Sequence, residues 1–128
     1  MGRRTFLRWA PVAFWAMAIL AVSSVPGREL GHLLDLSGGL DKVGHFGEYL
    51  VLGVLLARSL GARVTVRLLL AGWVGLAIFA TLDELHQAFI PGRIPDMLDW
   101  TADTSGGALG LLAGWAFSRL RARRAGLV

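Results

Sequence analysis

The sequence has no cysteine among its 128 residues. This absence excludes a disulfide framework, a thiolate zinc site, an iron–sulfur cluster and a cysteine nucleophile. Charged residues are also scarce, at 17% of the chain against about 25% in an average soluble domain. Hydrophobic residues instead reach 55%, and the mean hydropathy is +0.58. A chain this short and apolar excludes a large soluble catalytic domain and indicates a single domain in a membrane.

Uncharged runs predict where the chain crosses the membrane. The clearest extends from Trp9 to Val25 and is close to the roughly 20 residues that a spanning helix needs. Three shorter runs reach that length when flanking polar residues are included. None shows the period-two alternation of a strand, and an open sheet leaves unpaired edges in lipid. We therefore predict an all-α, polytopic membrane protein with one domain over residues 1–128, a four-helix transmembrane bundle with spans at about 9–26, 41–60, 67–87 and 99–119.

The basic residues predict the orientation of this bundle. Of the 13 Lys and Arg residues, all but Arg28, Lys42 and Arg93 lie near the termini or in the middle loop. The positive-inside rule then places both termini in the cytoplasm. The net charge of +4 is explained by topology and by attraction to anionic membrane lipids, so we expect no binding of nucleic acid.

The N-terminus has a second interpretation, a cleaved signal peptide. Arg3, Arg4 and Arg8 would be its basic region, and residues 21–23 its cleavage site. We favour a retained helix because the uncharged run is nearly long enough to span and Pro26 suits a helix end. Both interpretations leave the other three helices in the same orientation.

Polar residues at the outer ends of the last three spans predict one shared site. Asp41, His45 and Glu48 follow one another at i, i+4 and i+7, so they share a helix face. The third and fourth spans carry similar polar edges. Because an ionisable group at a helix centre in the membrane costs about 2.5–3.5 kcal/mol, such groups should face each other or a wet cavity. The candidate binding residues are Asp41, Lys42, His45, Glu48, Tyr49, Asp83, Glu84, Gln87, Arg93, Asp99 and Asp103.

Glycines on the fourth span predict how this site is held together. Gly106, Gly110 and Gly114 form consecutive Gly-x-x-x-Gly pairs, which let a neighbouring helix approach closely. The same face carries Asp99 and Asp103, so the ridge should turn their carboxylates inward. The candidate complementary surface on the second span consists of Gly44, Gly47 and Gly53.

Some polar residues also have purely structural explanations. Asp41 and Asp99 stand where N-caps of the second and fourth helices are expected. His86 lies off the polar edge of the third span, so we expect it to be structural. Capping cannot explain Glu48 or Asp83, which lie inside their helices or near a C-terminal end.

Three motifs follow one another in the region of these residues. They are Asp41-Lys42-x-x-His45-Phe46-x-x-Tyr49, Asp83-Glu84-x-x-Gln87-x-x-x-Pro91-Gly92-Arg93 and Asp99-x-x-x-Asp103-x-x-Gly106-Gly107-x-x-Gly110. Together they resemble the VanZ-like family of small bacterial membrane proteins over about residues 41–118. Asp103 departs from the family pattern, which favours Asn there. The resemblance implies an integral protein of the bacterial cytoplasmic membrane and cell envelope, one member being associated with teicoplanin resistance, and it implies no catalytic mechanism.

Six carboxylates at the predicted site face only Lys42 and Arg93, and we expect Arg93 to pair with them. A bound metal ion, an amine ligand or protonation would offset the remaining charge. We favour a binding or resistance accessory role toward an envelope lipid, a lipid-linked peptidoglycan precursor or a glycopeptide antibiotic. The alternative is a metal-assisted hydrolase or transferase acting on a lipid-linked head group. A carrier is the third hypothesis, but the chain has no inverted repeat. No nucleophile or zinc motif supports an enzyme, so we predict no cofactor, and a divalent metal stays an open alternative.

Overall fold

The computed structural model describes residues 2–33, 39–61 and 64–126, and all regular structure in them is helical. The all-α prediction is therefore confirmed. The run Ser37-Gly38-Gly39 predicts a turn between the first two spans, but Ser37 and Gly38 lie outside the described residues. The helices are α1 (Arg3–Ser23), α2 (Gly27–Leu33), α3 (Leu40–Leu60), α4 (Val66–Gln87) and α5 (Met97–Arg124).

Three of these helices are long and apolar enough to cross a membrane. The qualifying segments are Thr5–Ser23, Leu40–Leu60 and Val66–Gln87. Helix α5 is longer, but its composition is less apolar because acidic residues lie near its start and four arginines near its end. Membrane crossing by α5, and with it the four-helix transmembrane bundle, stays a prediction.

The connection predicted after the first span contains the short helix α2. Pro26 immediately precedes it, where the missing N–H of proline costs no hydrogen bond. The backbone N–H of Leu30 donates to the Pro26 carbonyl at 3.0 Å, and the Leu30 side chain is buried. The connection therefore contains a short helix that the sequence analysis did not predict.

Helices α3 and α5 form the most extensive helix contact, with α1 packed on α3 and α4 packed on α5. The glycine ridge of α5 explains this close approach. A Cβ atom at Gly106 would collide with the Phe46 carbonyl, and one at Gly110 with the Leu50 carbonyl. The prediction that the ridge is a helix interface is confirmed, and backbone packing of this kind stabilises helices where lipid removes the hydrophobic effect.

The glycines of α3 predict only part of the surface that packs against α5. Gly53 lies against the backbone of α5 at Gly107 and Leu111. A Cβ atom at Gly44 or Gly47 would meet nothing within 4 Å in the described ranges. The prediction is therefore wrong for these two residues, since the ridge packs on the carbonyls of larger residues instead.

Contacts at the two ends show that the long helices alternate in direction. At one end the Ser59 hydroxyl of α3 donates to the Arg8 carbonyl of α1 at 2.6 Å, and Ala57, Leu69 and Trp115 pack together there. This end therefore holds the start of α1 and the end of α5. The opposite end brings together the starts of α3 and α5 and the ends of α1 and α4.

Large apolar side chains cover the outside of α1. Phe14 is 72% exposed and Met17 is 69% exposed, whereas Ile19 is buried against Tyr49 and Leu76 in the core. An outward apolar surface of this kind suits contact with lipid.

Candidate functional site

The predicted polar residues meet at the end of the bundle where α3 and α5 begin. Several are almost completely withdrawn from the surface, although they are ionisable or polar. Such burial is expensive unless the groups have partners. The relative exposures are 0% for Tyr49, Asp83 and Asp103, 3% for Gln87, 7% for Glu84 and 8% for Asp99.

Lys42 forms the mouth of the site. Its Nζ atom contacts carboxylate oxygens of three aspartates: Asp41 at 2.9 Å, Asp96 at 2.7 Å and Asp99 at 2.8 Å. One ammonium group thus joins the first turn of α3 to the start of α5. The hydrogen bond from Lys42 lowers the pKa of Asp96, and the Leu98 N–H lowers it further.

The N-caps differ from those that the sequence predicts. The cap of α5 is Asp96, whose side chain accepts from the Leu98 N–H at 2.9 Å, so Asp99 lies in the first turn instead. Gly39 occupies the cap position of α3, and Asp41 lies in its first turn. Asp96 follows Pro95 just before a helix, which is a recognisable capping pattern, but the sequence analysis did not identify it as a site residue.

His45 lies below Lys42 and joins α3 to α5. Its Nδ1 atom is 3.1 Å from Asp103 Oδ1, and its Nε2 atom is 3.9 Å from Asp99 Oδ2. The imidazole is therefore placed between two buried carboxylates. This confirms that the polar stripe of α3 and the polar edge of α5 face each other.

The C-terminal end of α4 supplies two further acidic side chains of the site. Asp83 Oδ2 accepts a hydrogen bond from the Ser23 hydroxyl of α1 at 3.0 Å, and Glu84 Oε2 accepts from the Asp96 N–H at 2.9 Å. Ser23 is a site residue that the sequence analysis missed, because nothing in the apolar run of α1 distinguishes it. His86 contacts the Ser24 hydroxyl at 2.9 Å, which agrees with its expected structural role.

Several buried polar atoms have no hydrogen-bond partner within the described ranges. An unsatisfied buried polar atom costs about 1–3 kcal/mol, so a concentration of them at one place indicates a site for water, an ion or a ligand. Apart from Trp115 Nε1 at the opposite end, and Asp99 Oδ1, which contacts Lys42, the atoms are Tyr49 Oη, Asp83 Oδ1, Glu84 Oε1, Gln87 Nε2 and Asp103 Oδ2.

Three of the side chains have the chemistry and proximity of metal ligands. His45, Glu84 and Asp103 each offer one ligand atom, and these atoms lie within 4.8 Å of one another. They come from α3, α4 and α5, so the fold rather than a local sequence motif brings them together.

A small cavity of about 70 Å³ opens beside His45. The Glu48 carboxylate lines it, and the described residues include no ion-pair partner for that carboxylate. Helices α1, α2, α3 and α4 all contribute to its wall. The lining residues are Val22, Ser23, Leu30, Asp41, Gly44, His45, Glu48, Gln87 and Arg93.

Arg93 also lines this cavity, but its guanidinium has other partners than the sequence predicts. Its Nε and Nη2 atoms donate to the carbonyls of Val25 and Val22, each at 3.2 Å. It forms no ion pair with a carboxylate in the part of the chain that the structure describes. The predicted pairing is therefore wrong: Arg93 instead caps the C-terminal end of α1.

The two loops at this end are also in direct backbone contact. The Gly27 N–H donates to the Pro91 carbonyl at 3.1 Å. A Cβ atom at Gly27 would collide with the Gly92 carbonyl, and Gly92 has a φ of +76°, which favours glycine. These contacts and Arg93 hold the loop after α4 against the end of α1.

A second cavity, of about 330 Å³, reaches Glu84 from the side of the bundle between α4 and α5. Its wall is largely apolar, and Trp100 donates from its indole N–H to the Thr81 hydroxyl at 3.0 Å across it. The lining residues are Thr81, Glu84, Leu85, Pro95, Asp96, Met97 and Trp100. An apolar groove that ends at a carboxylate suits a molecule with an apolar and a polar part.

Comparison with protein families identifies a match over most of the chain. The family model described as VanZ/LLP1 matches residues 4–118, which is most of the chain and includes all three motifs. No curated protein and no solved structure matches the chain.

Proposed function

This chain belongs to the VanZ/LLP1 family, and from that premise we propose that its polar pocket binds the amine-bearing head group of a cell-envelope amphiphile. The protein acts in the bacterial cytoplasmic membrane, which it crosses several times, and both termini face the cytoplasm. The pocket then opens to the outer surface. The observation that carries this proposal is the Glu48 side chain on the wall of the smaller cavity, with no ion-pair partner among the described residues.

The charge around the cavity favours a cationic ligand. Lys42 is already shared by three aspartates, and Arg93 donates to backbone carbonyls. Glu48 and Asp83 therefore have no ion-pair partner among the described residues, and a cationic ligand would supply one. A primary ammonium group supplies that charge and up to three hydrogen-bond donors.

The size of the cavity limits what can enter it. A volume of about 70 Å³ corresponds to roughly two water molecules, which accommodates an ammonium group but not a complete head group. The remainder of the ligand must lie outside, at the membrane surface. The apolar groove that reaches Glu84 is placed to receive the apolar part of such a molecule.

Three sources share this ligand chemistry: an aminophospholipid, a lipid-linked peptidoglycan precursor with a free amine, and an amine-bearing glycopeptide antibiotic such as teicoplanin. A resistance accessory role follows if the precursor or the antibiotic is the occupant. Binding of phosphatidylethanolamine tests the first source, and binding of teicoplanin tests the third.

The test compares the unaltered protein with Glu48→Gln in nanodiscs. We expect phosphatidylethanolamine to bind at least tenfold more tightly than phosphatidylglycerol, and Glu48→Gln to lose this preference while unfolding at the same temperature or higher, because it removes an uncompensated charge. Native mass spectrometry measures the bound lipid. Teicoplanin binding to the protein and the teicoplanin susceptibility of a sensitive host test the antibiotic as the ligand.

Glu29→Gln is the matched control, since Glu29 is an exposed glutamate on α2 away from the cavity lining. It should leave lipid preference unchanged. Equal binding of every amine-bearing ligand by the unaltered protein and Glu48→Gln would contradict the proposed function.

A further inference from the structure

The ligand atoms of His45, Glu84 and Asp103 are close enough to share one metal ion. They lie within 4.8 Å of one another. Two donor atoms at about 2.1 Å from a common metal lie at most about 4.2 Å apart. Two ligands of a tetrahedral ion are about 3.4 Å apart, so closing the largest separation takes a side-chain adjustment of about 0.7 Å at each of the two ligands.

The contact between His45 and Asp103 already has the required spacing. Their Nδ1 and Oδ1 atoms are 3.1 Å apart, and two ligands of one tetrahedral ion are separated by about 3.4 Å at these bond lengths. With Nδ1 directed to a metal, Nε2 faces Asp99 Oδ2, 3.9 Å away. A carboxylate in that position orients a metal-bound imidazole.

A second and independent observation is that the two acidic ligands each keep a buried atom free. Glu84 is 7% exposed and Asp103 is 0% exposed, and Glu84 Oε1 and Asp103 Oδ2 have no partner among the described residues. The other oxygen of Glu84 is held by the Asp96 N–H at 2.9 Å. The carboxylate is thus fixed by one oxygen and leaves the other available to a cation.

We propose that His45, Glu84 and Asp103 bind a divalent transition-metal ion of the zinc or manganese class. One imidazole nitrogen and two carboxylate oxygens suit these ions, whereas copper(I) and iron–sulfur clusters prefer sulfur ligands. Three protein ligands leave a coordination position open for water or a ligand atom, as in catalytic zinc sites. The site lies at the interface of α3, α4 and α5, and its ligand His45 also lines the smaller cavity.

The metal site and the amine pocket can be occupied together. A divalent cation balances the charges of Glu84 and Asp103, and neither of these residues pairs with Lys42. Glu48 keeps its charge and still lines the smaller cavity. The inference therefore goes beyond the proposed function, and the two can fail separately.

The test uses the full chain, purified in detergent and stripped of metal with a chelator. Titration with zinc chloride is followed by calorimetry, and titration with manganese chloride by electron paramagnetic resonance. We expect one ion per chain and a higher unfolding temperature with metal. Glu84→Gln and Asp103→Asn should each weaken binding at least tenfold, with a matching loss of the metal-dependent rise in unfolding temperature.

Glu29→Gln is the matched control, because Glu29 is an exposed glutamate on α2 that lines neither cavity. It should change metal affinity less than twofold. His45→Gln provides a third ligand variant if either acidic variant does not fold. The site is overturned if neither ion binds, or if Glu29→Gln weakens binding as much as the ligand variants do. Glu48→Gln should keep its metal, and its lipid preference separately decides the proposed function.

Discussion

His45 of α3 and Asp103 of α5 meet at 3.1 Å, beside one of the close approaches of the two backbones. Gly106, one turn after Asp103, lies against the carbonyl of Phe46, the residue after His45. The close packing of small residues on α5 therefore brings these two polar side chains within hydrogen-bond distance. The packing of α3 on α5 therefore also sets the geometry of this part of the site.

Gly110→Ala should destabilise the bundle by about 1–3 kcal/mol, because its added methyl group overpacks the α3–α5 interface at the Leu50 carbonyl. Thermal unfolding in detergent measures the effect. Gly75→Ala is the control: a Cβ atom there meets nothing within 4 Å in the described part of the chain, and it should stabilise α4 slightly. A Gly110→Ala variant as stable as Gly75→Ala would show that the ridge tolerates a side chain.

Lys42→Met should lower stability by about 1 kcal/mol, the upper end for a partly exposed ion pair, because it leaves the aspartates at the mouth without their shared cation. Lys42→Arg keeps the charge and should recover part of the loss. The loss should shrink in high salt, which screens like charges. Unfolding measured at two salt concentrations checks this, and a loss independent of salt would indicate packing instead.

Acid should weaken the contact between Asp96 and Lys42. The hydrogen bond from Lys42 lowers the pKa of Asp96, so the stabilisation is complete above the ordinary pKa of an aspartate and is lost as pH falls through the lowered value. Asp96→Asn should therefore flatten the acid limb of the stability curve. Unfolding temperatures from about pH 2 to 5 measure this change, and an unaltered acid limb would argue against it.

Arg93→Ala should loosen the end of α1, since it removes two donors to the Val22 and Val25 carbonyls. Loss of hydrogen bonds of this kind is worth about 1–2 kcal/mol, which corresponds to roughly tenfold faster hydrogen exchange at the neighbouring Gly27 amide. Exchange in α5 should not change. Unaltered exchange at Gly27 would show that the backbone bond to Pro91 holds without Arg93.

The predicted orientation can be tested with single cysteines, because the chain has no native one. Ile94→Cys changes a residue that is 85% exposed in the loop at the site end, and Ala125→Cys lies at the end of α5. An impermeant thiol reagent should label intact cells at Ile94→Cys only. Labelling of Ala125→Cys alone would reverse the orientation.

The polar face of α3 and the polar edges of α4 and α5 could be predicted because helical periodicity fixes which residues share a face. Burial of Asp83 and Asp103 follows from the same logic, since charged groups avoid lipid. The glycine ridge was predictable from its four-residue spacing. Irregular spacing misled the prediction for Gly44, which lies outside the interface.

Contacts between loops and helix ends could not be obtained in this way. The partner of Arg93 depends on where the end of α1 lies, and no periodic sequence pattern predicts that position. Ser23 reaches Asp83 only because α1 and α4 both end at the site end of the bundle. The grouping of His45, Glu84 and Asp103 likewise depends on three helices meeting at one depth.

The backbone contact between Gly27 and Gly92 limits where a label can be inserted in this protein. An insertion at Gly27 or Gly92 would disturb the site end, because even one methyl group at Gly27 would force α2 and the loop after α4 apart. The arginine-rich end is different, as α5 extends to Arg124 with exposed side chains. Fluorescent or affinity tags therefore belong after α5, where they leave the pocket undisturbed.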